Sequence, residues 1–143
     1  MTIGLAELLR VPHLLALNLE ARRGRSFRGI STDTRTIRAG EIFFAIRGER
    51  FDGHEFVDAA IAKGAGCVVI EEKADRSRWT SGRFLVVKDS TKAFGALASL
   101  WRLRFDIPVI AVAGSNGKTT TKEMIAAVLS TRYNVLNTEG NRN

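Results

Sequence analysis

The chain has 143 residues, of which 45% are hydrophobic and 26% are charged, and its formal net charge is +7. This composition is typical of a globular protein with one domain and part of a second. No apolar run approaches the roughly 20 residues that cross a bilayer, and the first residues lack the basic start and long apolar segment of a secretory signal. We therefore expect a cytoplasmic protein without membrane insertion. A monomer is a separate expectation, because the sequence carries no signal of oligomeric state.

The positive charge raises nucleic-acid binding as an alternative, because Arg22, Arg23, Arg25 and Arg28 cluster. Phe27 is the only aromatic residue within that cluster, and the sequence has neither zinc-ligand spacing nor an RNA-binding signature. A solvated basic edge is the favoured interpretation. We expect no nucleic-acid partner, and a basic surface also suits an anionic nucleotide substrate.

Strands and helices alternate along the first hundred residues. Residues 3–19 predict a short helix and a second apolar piece broken near Pro12. Buried strands are expected at 41–46, 67–71 and 84–88. Cys67, the single cysteine, begins the second of these strands and is interpreted as a small buried residue rather than a catalytic thiol. The pattern predicts an α/β domain.

Two helices are expected between and after these strands. One begins at Asp52 and ends at Gly64, since an aspartate caps its start and a glycine closes it. The other is capped by Asp89 or Ser90. Its spacing predicts one apolar face, made of Phe94, Leu97, Ala98 and Trp101.

Polar segments in this domain leave alternatives open. Asp33-Thr34-Arg35 lies in a polar block flanked by Ile30 and Ile37. It suits ligand contacts as well as an Asx-type turn with a surface arginine, and neither interpretation is favoured. His54 lies in the first turn of the helix after Asp52. It is either a ligand contact or a polar residue on an exposed turn, and the exposed turn is favoured.

A strand, a glycine-containing loop and a helix follow one another near the end of the chain. The apolar run 109–113 predicts a buried parallel strand. Gly114 and Gly117 allow a tight turn whose backbone N–H groups approach phosphate oxygens, and Lys118 adds a positive charge. Thr119 is placed to offer a hydroxyl to Mg²⁺. The order of residue types predicts a phosphate-binding loop.

This loop departs from the general phosphate-loop pattern. That pattern has four residues between its glycines, whereas Val112 stands at the first glycine position and two residues separate Gly114 from Gly117. The alternative is a simple turn between a core strand and a helix, with Lys118 merely solvated. The phosphate-binding interpretation is favoured.

The composition changes at residues 103–107, where we place a domain boundary. We expect a first domain over residues 1–105 and a truncated second domain over residues 106–143, with a second strand at 133–136. Pieces below about 40 residues seldom fold alone. The expected fold is therefore a small mixed α/β domain followed by the first strand-loop-helix-strand unit of a phosphate-loop (P-loop) domain.

The succession of motifs resembles the Mur ligases, the ATP-dependent amide-forming enzymes of peptidoglycan synthesis. The resemblance is carried by Ser31-Thr-Asp-Thr-Arg35, Ala39-Gly-Glu-Ile-Phe-Phe-Ala45, Gly48-Glu-Arg-Phe-Asp-Gly-His-Glu-Phe56 and Gly114-Ser-Asn-Gly-Lys-Thr-Thr120. It includes the shortened glycine spacing of the loop. It implies that the first domain binds a uridine nucleotide and that the second uses ATP and Mg²⁺.

The resemblance also implies roles for single residues. The uridine-nucleotide contacts would be Thr34, Arg35, Glu49, Arg50 and Phe51. The ATP loop would comprise Gly114, Ser115, Asn116, Gly117, Lys118, Thr119 and Thr120, with Thr119 on Mg²⁺. Asn141 and Asn143 would lie near the active site. No complete catalytic set is expected within these residues.

Within the family, segments 87–94, 121–124 and 138–143 are most similar to the members that join D-alanyl-D-alanine to UDP-N-acetylmuramoyl-tripeptide through an acyl phosphate. The alternatives are the sister ligase that adds the third amino acid, a non-catalytic uridine-nucleotide-binding module and a regulatory nucleotide switch. The last has no guanine-recognition motif to support it. The remaining catalytic groups that the resemblance implies would lie beyond Asn143, so we expect this polypeptide alone to show no ligase turnover.

Overall fold

The computed structural model describes residues 2–8, 10, 14–18, 26–49, 51–79 and 81–139. The chain divides into two compact units, Met1–Phe105 and Asp106–Asn143. The secondary structure in chain order is β1 (Ile3–Gly4), α1 (Leu5–Leu8), β2 (Leu14–Asn18), β3 (Ser26–Phe27), β4 (Ile30–Ser31), β5 (Ile42–Phe44), α2 (Val57–Ala62), β6 (Cys67–Glu71), β7 (Phe84–Val87), α3 (Ser90–Arg102) and α4 (Lys118–Ser130). Two short 3₁₀ helices lie at Gly53–Phe56 and Arg76–Arg78.

The first unit is built on a five-stranded sheet with the order β2-β7-β6-β5-β4. Strands β4 to β7 run parallel to one another, and β2 pairs with β7 in the antiparallel direction. Strands β1 and β3 form a separate antiparallel pair. The predicted mixed α/β fold of this unit is confirmed, and the structure adds that most of its strands are parallel.

The sheet has apolar residues on both faces, which explains the unbroken apolar runs of β6 and β7. Successive side chains of a strand point to opposite faces of the sheet. In β6, Val69 belongs to an apolar cluster with residues of α3, and Val68 belongs to a second apolar cluster with residues of α2. Cys67 is fully buried, as expected from its apolar surroundings.

The two predicted helices of this unit form, with differences at their ends. The first begins as the 3₁₀ turn Gly53–Phe56 before α2, and Gly64 follows it with a φ of +82°. Asp89 caps α3 by accepting a hydrogen bond from Lys92 N at 2.8 Å. Ala98 was expected on the buried face but is exposed, because Ala93 and Leu97 already supply the contact with the sheet.

The second unit contains α4, but the strands predicted at 109–113 and 133–136 do not form. Residues 105–113 and 134–139 have no strand assignment, and apolar side chains there are exposed, with Val109 at 65% and Leu136 at 99%. A strand requires a hydrogen-bonded neighbour, and none pairs with either segment in the described residues. No helix among the described residues is long and apolar enough to cross a membrane.

Candidate functional site

The candidate residues of the first unit follow the carboxyl ends of parallel strands. Residues 32–36 follow β4, residues 45–56 follow β5, and Glu71 ends β6. Parallel neighbours β4 to β7 have their carboxyl ends on the same side of the sheet, and ligands of open α/β sheets bind on that side. This edge is the candidate site of the first unit.

The segment after β4 is a turn held by its own side chains. Asp33 accepts a hydrogen bond from Arg35 N at 2.8 Å, and its carboxylate pairs with Arg35 Nη2 at 2.6 Å. Side-chain and backbone hydrogen bonds from Arg35 lower the pKa of Asp33 from 3.8 to about 2. The Asx-type turn is thus present, and Arg35 remains 87% exposed at its side chain.

Lys63 contributes to this turn and was missed by the sequence analysis. Its Nζ donates to Thr34 O at 2.6 Å. Thr34 itself is half-buried. The two residues are 29 positions apart and lie in different elements, so no local pattern indicated the contact.

The segment after β5 is a hairpin, which we define as residues 46–53. Arg47 and Asp52 form its antiparallel bridge, and their side chains pair at 2.9 Å. Gly48 N donates to Phe51 O at 2.9 Å and closes the tip. Phe51 is 73% exposed, and Glu49 is exposed as well. Arg50 lies outside the described residues.

His54 is buried and hydrogen-bonded, so the expectation of an exposed turn is wrong at this residue. It is 4% exposed. Its Nδ1 lies 2.6 Å from Asp52 Oδ1, and its Nε2 accepts a hydrogen bond from Glu71 N at 3.0 Å. Both ring nitrogens are engaged within the protein, which leaves the imidazole without a free nitrogen for a ligand.

Glu71 and Ser90 extend these contacts along the sheet edge. Glu71 Oε1 accepts hydrogen bonds from Ser90 N at 3.0 Å and from Ser90 Oγ at 2.9 Å. Burial opposes ionisation of Asp52, but hydrogen bonds from His54 and Arg47 lower its pKa overall. The hydrogen bonds of His54 with Glu71 and of Glu71 with Ser90 join the segments that follow β5 and β7 to the end of β6. Among the described residues, no hydrogen bond or ion pair links this hairpin to the turn at Asp33 and Arg35.

The glycine loop of the second unit has the backbone that its glycines permit. Gly117 has a φ of +75° and Gly114 a φ of +150°, values that side-chain-bearing residues rarely adopt. A Cβ at Gly117 would meet no atom within 4 Å, so the space beside the loop is open. Lys118 Nζ donates to Gly114 O at 2.8 Å and reaches Ser115 O at 3.4 Å. The ammonium group is thus folded over the loop.

Helix α4 begins directly at this loop without a capping side chain. Thr121 N donates to Gly117 O at 2.9 Å. The N-terminal end of an α-helix carries positive partial charge. The loop, with Lys118 folded over it at the N-terminus of α4, has a positive charge that suits an anion such as a nucleotide phosphate.

The remaining predicted site residues differ in how far the structure describes them. Ser115, Asn116, Thr119 and Thr120 are exposed at the loop and first turn. The described residues contain no group of three or more His, Cys, Asp or Glu side chains arranged to hold a metal ion. Asn141 and Asn143 lie outside the described residues.

Comparison with known proteins gives consistent matches. Residues 26–131 match the family model described as Mur ligase family, catalytic domain. A UDP-N-acetylmuramoyl-tripeptide--D-alanyl-D-alanine ligase of a Synechocystis strain is 49% identical over 114 residues, which cover 80% of this chain and 25% of that protein. The chain therefore spans about a quarter of the length of this curated relative.

Solved structures match as well. MurF from Acinetobacter baumannii superposes with a TM-score of 0.85 at 32% identity, covering 99% of this chain and 30% of the other. MurF ligase from Thermotoga maritima, solved in complex with ADP, has a TM-score of 0.71 at 36% identity and covers 81% of this chain and 26% of the other.

Proposed function

The chain belongs to the Mur ligase family, as its motifs indicated, and on that premise we propose that it supplies the uridine-nucleotide site and the ATP loop of a ligase. The reaction would be ATP-dependent addition of D-alanyl-D-alanine to UDP-N-acetylmuramoyl-tripeptide in peptidoglycan synthesis. The name of the matched relative supports this substrate pair. We further propose a cytoplasmic, monomeric protein.

The observation that carries the proposal is the position of Lys118 over the glycine loop, at the uncapped start of α4 and within the residues matched by the family model. When bound, ATP supplies the phosphoryl group that activates the carboxylate of the UDP-linked tripeptide. Lys118 would release Gly114 O to neutralise a phosphate oxygen, and the loop amides would donate to the same group. Thr119 would hold Mg²⁺ through its hydroxyl.

In the first unit, the turn and the hairpin would bind the UDP portion of the substrate. Phe51 is exposed at the hairpin tip and presents an aromatic ring that can pack on a base or sugar. The guanidinium of Arg35 lies at the surface beside Thr34, and it can bind pyrophosphate while it stays paired with Asp33. Glu49 and Arg50 belong to the same proposed set of contacts.

Calorimetric titration tests this assignment on the 143-residue chain. Mg²⁺-ATP and UDP-N-acetylmuramoyl-tripeptide are titrated separately into wild type, Lys118→Ala and Lys122→Ala. Lys122 is the matched control, since it lies one turn later on α4 and pairs with Glu123 at 2.8 Å. We expect Lys118→Ala alone to lose ATP binding while uridine-nucleotide binding is kept. ATP binding that survives Lys118→Ala would contradict the proposed loop.

The sister ligase that adds the third amino acid is the alternative, because it shares the motifs at Ser31–Arg35 and Gly48–Phe56. Its substrate is the UDP-linked dipeptide rather than the tripeptide. Tighter binding of the dipeptide would favour the sister ligase. Uridine-nucleotide binding with no ATP binding in wild type would favour a non-catalytic binding module.

A further inference from the structure

We propose that His54 is a positioning residue for the uridine-nucleotide site: it fastens the hairpin that carries Glu49 and Phe51 to the carboxyl end of β6. The inference rests on the proposed function, since it gives His54 a role in holding contacts assigned to that site. His54 itself would not touch the nucleotide, because its ring is buried and its two nitrogens are already bonded.

The two ring nitrogens have opposite roles. Glu71 N can only donate, so Nε2, which lies 3.0 Å away, must be the unprotonated acceptor. The ring proton of the neutral imidazole is then on Nδ1, from which it donates to Asp52 Oδ1 at 2.6 Å. The structure therefore fixes one tautomer of His54. This tautomer links a hairpin residue to a strand residue.

The surroundings hold the ring in this orientation. Trp79 stacks on it with ring centroids 6.5 Å apart and planes inclined by 24°. Asp52 is the charged group that faces the ring, and it is shared with Arg47 at 2.9 Å. The carboxylate of Glu71 is directed to Ser90 rather than to the ring. Rotation of the imidazole would break both of its hydrogen bonds.

The hairpin depends on this link because its tip is exposed. Phe51 is 73% exposed, so packing within the protein does little to fix its direction. The bonds inside the hairpin, from Gly48 to Phe51 and from Arg47 to Asp52, set its shape. The hydrogen bonds of His54 to Asp52 and Glu71 set its direction relative to the sheet, and a small error of direction is enough to weaken ligand contacts.

Two substitutions each keep one half of the link. In His54→Asn, the side-chain amide can still donate towards Asp52, but the acceptor for Glu71 N is lost. In His54→Gln, the carbonyl can reach Glu71 N, but the donor to Asp52 is lost. Asp75→Ala is the control, since Asp75 follows the same strand and bonds only locally, to Ser77 N at 3.0 Å and Ser77 Oγ at 2.6 Å.

The binding experiment uses the whole chain with UDP-N-acetylmuramoyl-tripeptide, below the melting temperature of each variant. We expect both His54 variants to raise the Kd about tenfold, while the ATP affinity and the Asp75→Ala control are unchanged. In a Phe51→Ala background, the same His54 changes should raise the Kd by a smaller factor, because one of the contacts that they position is gone. A purely structural role predicts lower melting temperatures with an unchanged Kd in the folded chain.

A ligand-independent measurement separates failure of this inference from failure of the proposed function. Nitrogen NMR should show wild-type His54 protonated on Nδ1, and amide exchange at Gly48 and Gly53 should accelerate in both variants relative to Val69 in the central strand. If wild type does not bind the uridine nucleotide, the proposed function fails while faster exchange still supports the link. Protonation on Nε2, or exchange equal to wild type, would overturn the inference.

Discussion

Replacing Gly53 with alanine tests the geometry on which the hairpin depends. A Cβ at this position would lie 2.6 Å from Ile46 N, 2.7 Å from Ile46 O and 2.9 Å from Ala45 C. All three are backbone atoms, so none can rotate aside. The two chain segments would have to separate, which breaks the hydrogen bond from Gly53 N to Ile46 O at 2.9 Å.

The expected cost follows from these contacts. Overpacking of this kind costs roughly 1–3 kcal/mol, and the lost hydrogen bond adds about 1 kcal/mol. We expect Gly53→Ala to lower the free energy of unfolding by about 2–4 kcal/mol, which for a unit of this size lowers Tm by roughly 10 °C or more. Urea and thermal unfolding followed by circular dichroism measure both quantities.

Gly95→Ala is the matched control, because it makes the same chemical change where space is available. Gly95 is exposed within α3, and a Cβ there would meet no atom within 4 Å. Alanine is preferred over glycine inside a helix by roughly 0.5–1 kcal/mol, so the control should be more stable than wild type. If Gly53→Ala unfolds at the same urea concentration as wild type, the close approach of Gly53 to the backbone of Ala45 and Ile46 is wrong.

Three further predictions concern side chains outside the hairpin. The pKa of Asp33 is lowered from 3.8 to about 2, so its carboxylate stabilises the folded chain above pH 3.8, and this contribution is lost as the pH falls through about 2. NMR titration should show the lowered value in wild type and a higher one in Arg35→Ala, which loses the guanidinium but keeps the backbone N–H at position 35. Asp89→Ala removes the cap that accepts from Lys92 N at 2.8 Å and should cost about 1 kcal/mol in urea unfolding; no loss would refute the capping role. Cys67 is fully buried, so a thiol reagent should modify it only as fast as the unit opens, and immediate modification of the folded chain would contradict that burial.

The central strands could be predicted from sequence because burial on both faces leaves a direct compositional signal. The runs at Cys67–Glu71 and Phe84–Val87 contain almost no polar residue, and short runs of this kind with β-branched residues are typical of strands covered on both faces. The Asp89 cap could also be predicted from the sequence, since capping depends on residues within one helical turn. Apolar runs and helix caps involve residues close together in the sequence, so the sequence alone is enough to predict them.

Contacts between distant elements could not be predicted in the same way. His54 meets Glu71 N, 17 residues away, only because β5 and β6 are neighbours in register. The position of His54 in the first turn of a helix suggested that its side chain is exposed, but packing against other elements buries it. The apolar run 109–113 has the composition of a strand, yet composition cannot supply the neighbour that a strand requires.

The most direct test of the central claim is binding of UDP-N-acetylmuramoyl-tripeptide to the 143-residue chain, measured by calorimetry in wild type, Phe51→Ala and Lys118→Ala. The exposed ring of Phe51 lies in the proposed uridine-nucleotide site, whereas Lys118 lies at the proposed ATP loop. We predict that wild type and Lys118→Ala bind the nucleotide equally and that Phe51→Ala binds it more weakly. Equal binding by Phe51→Ala, or no binding by wild type, would contradict the account.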